Sequence, residues 1–204
     1  MSSAPTQTEH RASARERLLD AANELFYAEG IQTVGIDRII ERAGVAKASL
    51  YNLFGSKEEL VAAYLASRHD STTRRLTEAI EGFDDPRRKI LAVFDAQAQQ
   101  YEQPDFNGCA FMAASTEAPT GGLVERAADQ FRAWIRAMFA DLAAQAGAPD
   151  PVKLGRQLHF VYDGSGLAGR MDHHDVEIAP AVRDAVQALL DAGLTRTRGA
   201  RERR

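Results

Sequence analysis

The sequence has a single cysteine, Cys109. One thiol excludes an intramolecular disulfide and is typical of a protein kept in a reducing compartment. No apolar run approaches the roughly 18 residues that a membrane-spanning helix needs, and the N-terminal MSSAPTQTEH lacks the basic and apolar regions of a secretory signal. These absences predict a soluble protein of the cytoplasm.

An excess of positive charge is also missing. The 204 residues include 25 Lys and Arg against 29 Asp and Glu, a formal net charge of -4. Any binding to nucleic acid must therefore depend on a local surface rather than on overall charge. Hydrophobic residues make up 45% of the chain and charged residues 26%, which is ordinary for a globular protein.

Neither the alternation of a β-strand nor an internal repeat is found. Apolar residues instead recur at three- and four-residue steps, which is the spacing of one face of a helix. Glycines and capping residues divide the chain into about nine such segments, so the sequence predicts an all-α fold. Long segments are expected at about 56–80, 106–117, 123–146, 151–170 and 177–193, with another helix that starts at Pro86 after the cap Asp85.

The segment GVAKASLYNLFGSKEELV, residues 44–61, has the most informative pattern. Gly44 permits the left-handed turn that ends one short helix, and Val45 is the apolar residue of that turn. Leu50 and Phe54, at i and i+4, give the following helix a face that can be buried. Residues 36–54 therefore have the spacing of a helix-turn-helix.

The other side chains of this short helix must point largely away from its buried face. They are Lys47, Ala48, Tyr51 and Asn52, with Ser49 at the edge. Lysine and tyrosine can contact phosphate, and asparagine can read adenine or bind phosphate. Lys57 begins the next helix, whose free N–H groups also favour a phosphate. A solvated surface helix is the alternative. The glycine turn, the apolar residue Val45 and the outward polar side chains agree in register, however, and this favours DNA recognition.

The segment RERLLDAANELFYAEGIQTVGIDRIIERAGVAKASLYNLFGSKEELVAAYL, residues 15–65, resembles the N-terminal DNA-binding domain of the TetR family of bacterial transcriptional regulators. The match is most specific over AGVAKASLYNLFGSKEEL. The resemblance implies a DNA surface formed by Gly35, Lys47, Ala48, Ser49, Tyr51, Asn52 and Lys57. Gly35 stands where the family usually has a capping Ser or Thr, so it can offer only its backbone N–H. Leu53 stands where a second aromatic residue is frequent.

Weaker resemblance continues beyond residue 65. FNGCAFMAASTEA, residues 106–118, is similar to a segment found in part of the family. The helical layout and YDGSGLAG, residues 162–169, resemble its effector-binding and dimerisation domain. We therefore expect a disordered tail at 1–12, a helix-turn-helix domain at 13–57, an effector-binding and dimerisation domain at 58–194 and a basic disordered tail at 195–204.

The resemblance implies a ligand-responsive regulator, most often a repressor, that binds a palindromic operator of double-stranded DNA as a homodimer. A small apolar or aromatic effector would release it. Aromatic, methionine and polar side chains at helical spacing are the candidate pocket residues: Phe94, Tyr101, Cys109, Met112, Trp134, His159 and Tyr162.

The last two predicted helices would form the dimer interface, as they do in the family. Val182, Val186 and Leu189 form a stripe at i, i+4 and i+7, for which the chain offers no obvious covering layer. The full set of candidate interface residues is Leu158, Val161, Ser165, Val182, Val186 and Leu189.

Two other functions stay open. GSGLAG, residues 164–169, fits the dinucleotide-binding pattern G-x-G-x-x-G, which would suggest a nucleotide-binding enzyme. That pattern needs a strand before the glycines and a helix after them, so small residues in a closely packed helix are preferred. The second alternative is a ligand-blind DNA-binding protein whose C-terminal half only dimerises.

No catalytic constellation is present, so no enzymatic activity and no cofactor are expected. DHHD, residues 172–175, reads as a solvated loop rather than a metal site, because adjacent histidines point in different directions. Cys109 is interpreted as a small buried residue rather than a redox sensor, since apolar residues flank it.

Overall fold

The structure, a computed structural model, describes residues 12–172 and 175–195. Within these ranges the chain forms nine α-helices and no strand, which confirms the predicted all-α fold. None of these helices is both long and apolar enough to cross a membrane. The tails predicted at 1–12 and 195–204, apart from Ala12 and Thr195, lie outside the described residues, as do His173 and His174.

The helices follow one another with short connections. They are α1 (Ala14–Glu29), α2 (Ile36–Ala43), α3 (Lys47–Phe54), α4 (Lys57–Glu81), α5 (Pro86–Tyr101), α6 (Ala110–Glu117), α7 (Leu123–Gln145), α8 (Pro151–Met171) and α9 (Ile178–Leu194).

Local capping interactions start several of these helices. At α1 the Ser13 hydroxyl accepts from the Glu16 N–H, while the Glu16 carboxylate accepts from the Ser13 N–H. Asp85 caps α5, whose first residue is Pro86. The Ser56 hydroxyl accepts a backbone N–H at the start of α4. Such caps satisfy N–H groups that have no partner within the helix, so they set where a helix begins.

One helix begins later than predicted. The expected start was Phe106, but α6 begins at Ala110. The reason is Gly108, whose φ of 81° lies in the left-handed region that glycine adopts without strain. The chain turns there, and Cys109 becomes the N-cap of α6.

The contacts divide the chain into two compact units, with the division between Tyr64 and Leu65. The first unit contains α1, α2, α3 and the first turns of α4. The predicted domain boundary at residue 57 corresponds to the start of α4, and the contact-based division lies within that helix. Buried apolar residues of the first unit include Leu18, Ala22, Phe26, Val34, Ile39, Leu50, Phe54 and Leu60.

In the second unit, α5, α7, α8 and α9 surround one apolar core. Its fully buried members include Ile90, Ile135, Phe139, Leu158, Val186 and Leu190. The backbones of α7 and α8 come very close at Gly155, where an added Cβ would lie 2.7 Å from the Ala140 nitrogen. Glycine there allows the two helices to approach.

The segment GSGLAG lies inside the continuous helix α8. An added Cβ at Gly166 would lie 3.0 Å from Gln97 Nε2, and one at Gly169 would lie 2.5 Å from the Tyr101 ring. Both glycines therefore allow α8 to pack closely against α5. This is the preferred interpretation of the sequence, and the strand that a dinucleotide site needs is absent from the described residues.

Candidate nucleic-acid interface

The turn of the helix-turn-helix is built around Gly44. Its φ of 62° and ψ of 43° are left-handed, and its N–H donates to the Glu41 carbonyl at the end of α2. The next N–H, of Val45, donates to the Ile40 carbonyl at 3.1 Å. These two bonds close the end of α2, and α3 starts after one further residue, Ala46.

Burial fixes which face of α3 points outward. Leu50 and Phe54 are buried, as their i, i+4 spacing predicts. Lys47, Ala48 and Asn52 are exposed, Ser49 is half-buried, and 46% of Tyr51 is accessible. Five of the predicted contact residues therefore lie on the outer side of α3, whereas Gly35 and Lys57 lie at the starts of α2 and α4.

The N-termini of α2 and α3 add backbone donors to this face. The N-cap residues are Gly35 and Ala46, and among the described residues no side chain caps either helix. First-turn N–H groups without a side-chain partner can donate to an anion such as a phosphate. This agrees with the expectation that Gly35 contributes only its backbone.

The Lys47 ammonium forms an ion pair on this surface. Its Nζ lies 2.8 Å from Oδ1 of Asp37, which is in the first turn of α2. The hydrogen bond with Asp37 raises the pKa of Lys47, so this lysine is charged at all physiological pH values. The single ammonium of the predicted recognition helix is thus partnered by a carboxylate.

Two arginines of α2 connect that helix to α1. Arg38 makes a bidentate pair with Glu29, with Nη2 and Oε1 2.9 Å apart, and this hydrogen bond lowers the pKa of Glu29. Arg42 makes a second bidentate pair with Glu24, with distances of 2.7 and 3.0 Å. Paired forks of this kind fix geometry well, so they hold α2 in place on α1.

Lys57, the last predicted contact residue, begins α4. Its Nζ lies 5.9 Å from the centre of the Phe26 ring, within the range of a cation–π contact. The residue is half-buried. It stands in the first turn of α4, where the Ser56 hydroxyl accepts the Glu59 N–H.

The predicted effector residues lie in several different surroundings within the second unit. Phe94, His159 and Tyr162 are buried within the second unit, where the Phe94 ring stacks on Phe139 with centres 5.5 Å apart. Burial raises the pKa of Tyr162 to about 12. The side chains of Phe94 and Tyr162 pack in the core.

Trp134 belongs to a separate group of rings. Its indole lies 5.1 Å from the His69 ring and 5.8 Å from Phe131. Phe131 in turn stacks on Phe111, with centres 4.0 Å apart. These aromatic residues therefore fill space by contacting one another, which sequence spacing alone does not distinguish from lining a cavity.

Open cavities lie in the second unit, and two of them are lined by predicted effector residues. The larger, of about 440 Å³, is lined by Ala98, Tyr101, Glu102, Gln103, Pro104, Phe106, Gly169, Asp172, Asp175, Val176, Ile178 and Ala179. The smaller, of about 220 Å³, has Cys109, Met112 and Arg170 in its lining. Cys109 is half-buried, and burial raises the pKa of its thiol, which disfavours the reactive thiolate.

The predicted dimer residues lie in or against the protomer's own core, and their part in an interface stays a prediction. Leu158, Ser165 and Val186 are buried, and the other three, Val161, Val182 and Leu189, pack against the same core. Val186, in the middle of the stripe on α9, is covered because α9 packs against α5 and α8, while Val182 and Leu189 are half-buried.

An exposed apolar face on α8 was missed by the sequence analysis. Phe160 is 61% accessible, and Leu167 and Met171 lie on the same side at i+7 and i+11, with Gly164 between them. The nearby α9 exposes a row of small residues: Ala181, Ala185, Ala188 and Ala192. The available signal was that α8 has apolar residues on two faces, and each face needs a partner.

Comparison with known proteins decides the class of the chain. The family model described as bacterial regulatory proteins, tetR family, matches residues 18–64. A TetR-family transcriptional regulator from Streptomyces coelicolor, SCO4454, is 34% identical and superposes with a TM-score of 0.85 over 90% of this chain and 91% of that one. The chain belongs to the TetR family.

Two further relatives of this TetR-family protein have been given opposite regulatory roles. FasR of Mycolicibacterium smegmatis, an HTH-type transcriptional activator, is 37% identical over 86 residues, which are 42% of this chain and 39% of FasR. NemR of Escherichia coli, an HTH-type transcriptional repressor, is 31% identical over 112 residues, which are 54% of this chain and 55% of NemR.

These findings identify a helix-turn-helix, DNA-binding transcriptional regulator. The similar proteins are regulators rather than enzymes. In the described ranges no three potential metal-ligating side chains lie together.

Proposed function

We propose that this TetR-family protein is a homodimeric repressor that binds a palindromic or near-palindromic operator and is released by a small apolar or aromatic molecule. The observation that carries the proposal is the outer face of α3, on which Lys47, Tyr51 and Asn52 are exposed together. A repressor needs only to occupy its operator, whereas an activator also needs a surface that contacts the transcription machinery. Repression is therefore the simpler assignment.

The DNA contacts follow from the chemistry of this face. Lys47 and Tyr51 would contact phosphates, and Asn52 would contact a base edge or a phosphate. Ala48 and Ser49 are small enough to let α3 approach the floor of the major groove. The backbone N–H at Gly35, together with Lys57 and the start of α4, would hold the flanking phosphates.

Dimerisation would use the exposed apolar face of α8 and the alanine row of α9. Phe160, Leu167 and Met171 present large apolar groups, and small residues such as Ala185 and Ala188 let helices approach closely. Burying such a face against its own copy is the isologous arrangement of a twofold dimer. Two recognition helices related by that axis would read the two halves of a palindrome.

The larger cavity is the better candidate for the effector. Its volume of about 440 Å³ lies within the range of about 300–1,000 Å³ typical of small-molecule sites, and that of the smaller cavity lies below it. Tyr101, Phe106 and Ile178 give it apolar and aromatic walls. Glu102, Asp172 and Asp175 share the lining, so an anionic effector is disfavoured.

In the first step of the test, the protein is used to select the duplexes that it binds from a random-sequence DNA library. We expect the enriched duplex to contain an inverted repeat and to bind two protomers or a multiple of two in sedimentation velocity. Enrichment of no sequence would overturn the proposed function.

A screen of small aromatic compounds then seeks those that raise the melting temperature of the protein and release the enriched duplex. Linkage requires the duplex to weaken effector binding by the factor by which the effector weakens duplex binding. Ala98→Phe, which fills the larger cavity, should abolish release while the variant still binds the duplex. If the same compound still released Ala98→Phe from the duplex, the effector site would not be the larger cavity.

A further inference from the structure

The recognition helix has very little positive charge available to DNA. The sequence of α3, KASLYNLF, includes one basic residue, Lys47. Its ammonium is held 2.8 Å from the Asp37 carboxylate, and the Asp37 side chain is 79% accessible. A carboxylate is therefore exposed on the same surface that the proposed function assigns to the operator.

A phosphate that reaches Lys47 must compete with Asp37. An ammonium has three N–H donors and could touch both anions, but a carboxylate and a phosphate on one ammonium lie a few ångströms apart and repel each other. The neighbouring donors on this face, the N–H groups at the start of α2, lie beside Asp37 as well. Contact between Lys47 and DNA therefore favours opening of the ion pair with Asp37.

We propose that Asp37 is a specificity-determining residue that withholds Lys47 from DNA until α3 is seated in a matching groove. The inference rests on the proposed function, in which α3 reads the operator. On DNA of unrelated sequence no base contact fixes α3, so the intramolecular pair persists and Lys47 contributes little. On the operator, contacts by Tyr51 and Asn52 fix the register, a phosphate is brought to Lys47, and the pair is exchanged.

Salt dependence distinguishes the two states. The logarithm of the binding constant falls with the logarithm of the salt concentration by about 0.9 for each phosphate that is neutralised. Lys47 should add to that slope on the operator but not on unrelated DNA. Removing the Asp37 charge should release Lys47 on every duplex.

The experiment measures fluorescence anisotropy in a salt series with two duplexes, the one enriched by the parent protein and a scrambled duplex of equal length and composition. In Asp37→Asn we expect the slope on the scrambled duplex to steepen by about 0.9 for each recognition helix bound. Its affinity for that duplex should rise by up to about fivefold for each helix, the range expected of an exposed ion pair. The slope on the enriched duplex should stay at the parent value, so discrimination between the duplexes decreases.

Matched variants separate this effect from a general change in net charge. Asp20→Asn makes the same charge change at an exposed position of α1 and should leave both slopes unchanged. Asp37→Glu keeps the charge and should behave as the parent. In a Lys47→Met background, Asp37→Asn should no longer steepen the slope on the scrambled duplex. Asp37→Ser is the second neutral variant, and melting curves for each variant ensure that only folded protein is compared.

Each outcome identifies what has failed. If the parent enriches no duplex, the proposed function is overturned and the inference with it. If Lys47→Met weakens binding to the enriched duplex while Asp37→Asn and Asp37→Ser keep the parent slope on the scrambled duplex, the inference alone is overturned. If Asp20→Asn and Asp37→Asn steepened the slope on the scrambled duplex equally, the inference would also be overturned, because the effect would then come from net charge.

Discussion

Tyr51 is a residue whose role in binding can be separated from folding. Its ring is largely accessible, while its neighbour Leu50 is fully buried. Because a hydrogen bond to a charged group contributes about 1.5–3 kcal/mol, Tyr51→Ala should lower affinity for the enriched duplex about tenfold or more. Anisotropy measures the affinity, and circular dichroism should give an unchanged melting temperature.

Leu50→Ala is the control for this variant. It removes a buried side chain, so it should lower the stability of the first unit by about 2–5 kcal/mol in urea unfolding. If Tyr51→Ala bound the enriched duplex as tightly as the parent, the assignment of this face of α3 to DNA would be wrong.

His159 is the second informative residue, because it is a buried polar side chain. It is 1% accessible, and neither ring nitrogen has a hydrogen-bond partner among the described residues. Burial lowers its pKa, the nearby Asp163 opposes that shift, and Arg132 and Arg136 add to it. Asp163 itself pairs with Arg132 at 3.0 Å. The folded protein therefore favours the neutral imidazole.

The lowered pKa makes stability depend on pH with a definite sign. Below the ordinary histidine pKa of about 6.5, the unfolded chain binds a proton at His159 that the folded chain does not. The free energy of unfolding should therefore decrease as pH falls below about 6.5 and be insensitive to this residue above it. Urea unfolding at pH 7.5, 6.5 and 5.5 measures this, and His159→Gln should show a weaker decrease. Identical pH profiles for parent and variant would contradict it.

Among the elements, α8 is central to the second unit because it packs against α5, α7 and α9. It packs against α7 through Gly155, where an added Cβ would meet the backbone of Ala140 at 2.7 and 2.8 Å. Backbone atoms cannot move aside as a side chain can, so Gly155→Ala should destabilise the protein by about 1–3 kcal/mol, more than alanine gains in helix propensity.

Val152→Ala, on an exposed position of the same helix, is the matched control and should change stability by less than about 0.5 kcal/mol. Both values come from urea unfolding. An increase in stability for Gly155→Ala would mean that α7 and α8 do not approach this closely in solution.

The elements also explain which predictions were successful. The starts of α4 and α5 depend on caps within a few residues of chain, Ser56 and Asp85, so local sequence was sufficient. The outer face of α3 was predictable for the same reason, because Leu50 and Phe54 define its opposite face within eight residues. The start of α6 depends on the backbone turn at Gly108, and glycine alone does not specify its φ.

Tertiary packing decides which side of an apolar stripe is buried within the protomer. An apolar stripe such as Val182, Val186 and Leu189 has the same spacing whether it faces another helix of the protomer or a second copy. The proximity of α5 and α8 covers it, and that proximity involves residues far away in sequence. The surroundings of Trp134 also depend on tertiary packing, because it contacts other rings and lines neither of the two cavities described above.

At the scale of the whole molecule, the exposed apolar face of α8 predicts the oligomeric state. Phe160→Glu together with Leu167→Glu should give monomers in sedimentation velocity and weaken binding to the enriched duplex. Both residues are exposed in the protomer, so the double variant should remain folded. An intact dimer in this variant would contradict the assignment of the interface.

Val186→Arg provides the contrasting variant. Because Val186 is fully buried in the core of the second unit, the substitution buries an unpaired charge and should unfold that unit rather than dissociate the dimer. Loss of helical circular dichroism at 25 °C distinguishes the two results. If the Val186→Arg protein were folded and monomeric, the α9 stripe would instead be an exposed part of the dimer interface.

The continuity of α4 has a consequence for how such regulators can exchange parts during evolution. Leu60, Val61 and Tyr64 are buried, belong to the first unit and lie in the same helix as Leu65, which belongs to the second. A recombination event that joined two genes at the start of this helix would combine helices α1 to α3 from one parent with the α4 side chains that complete their core from the other. Functional hybrids should therefore have crossovers after Tyr64, so that operator preference is inherited together with the first turns of α4.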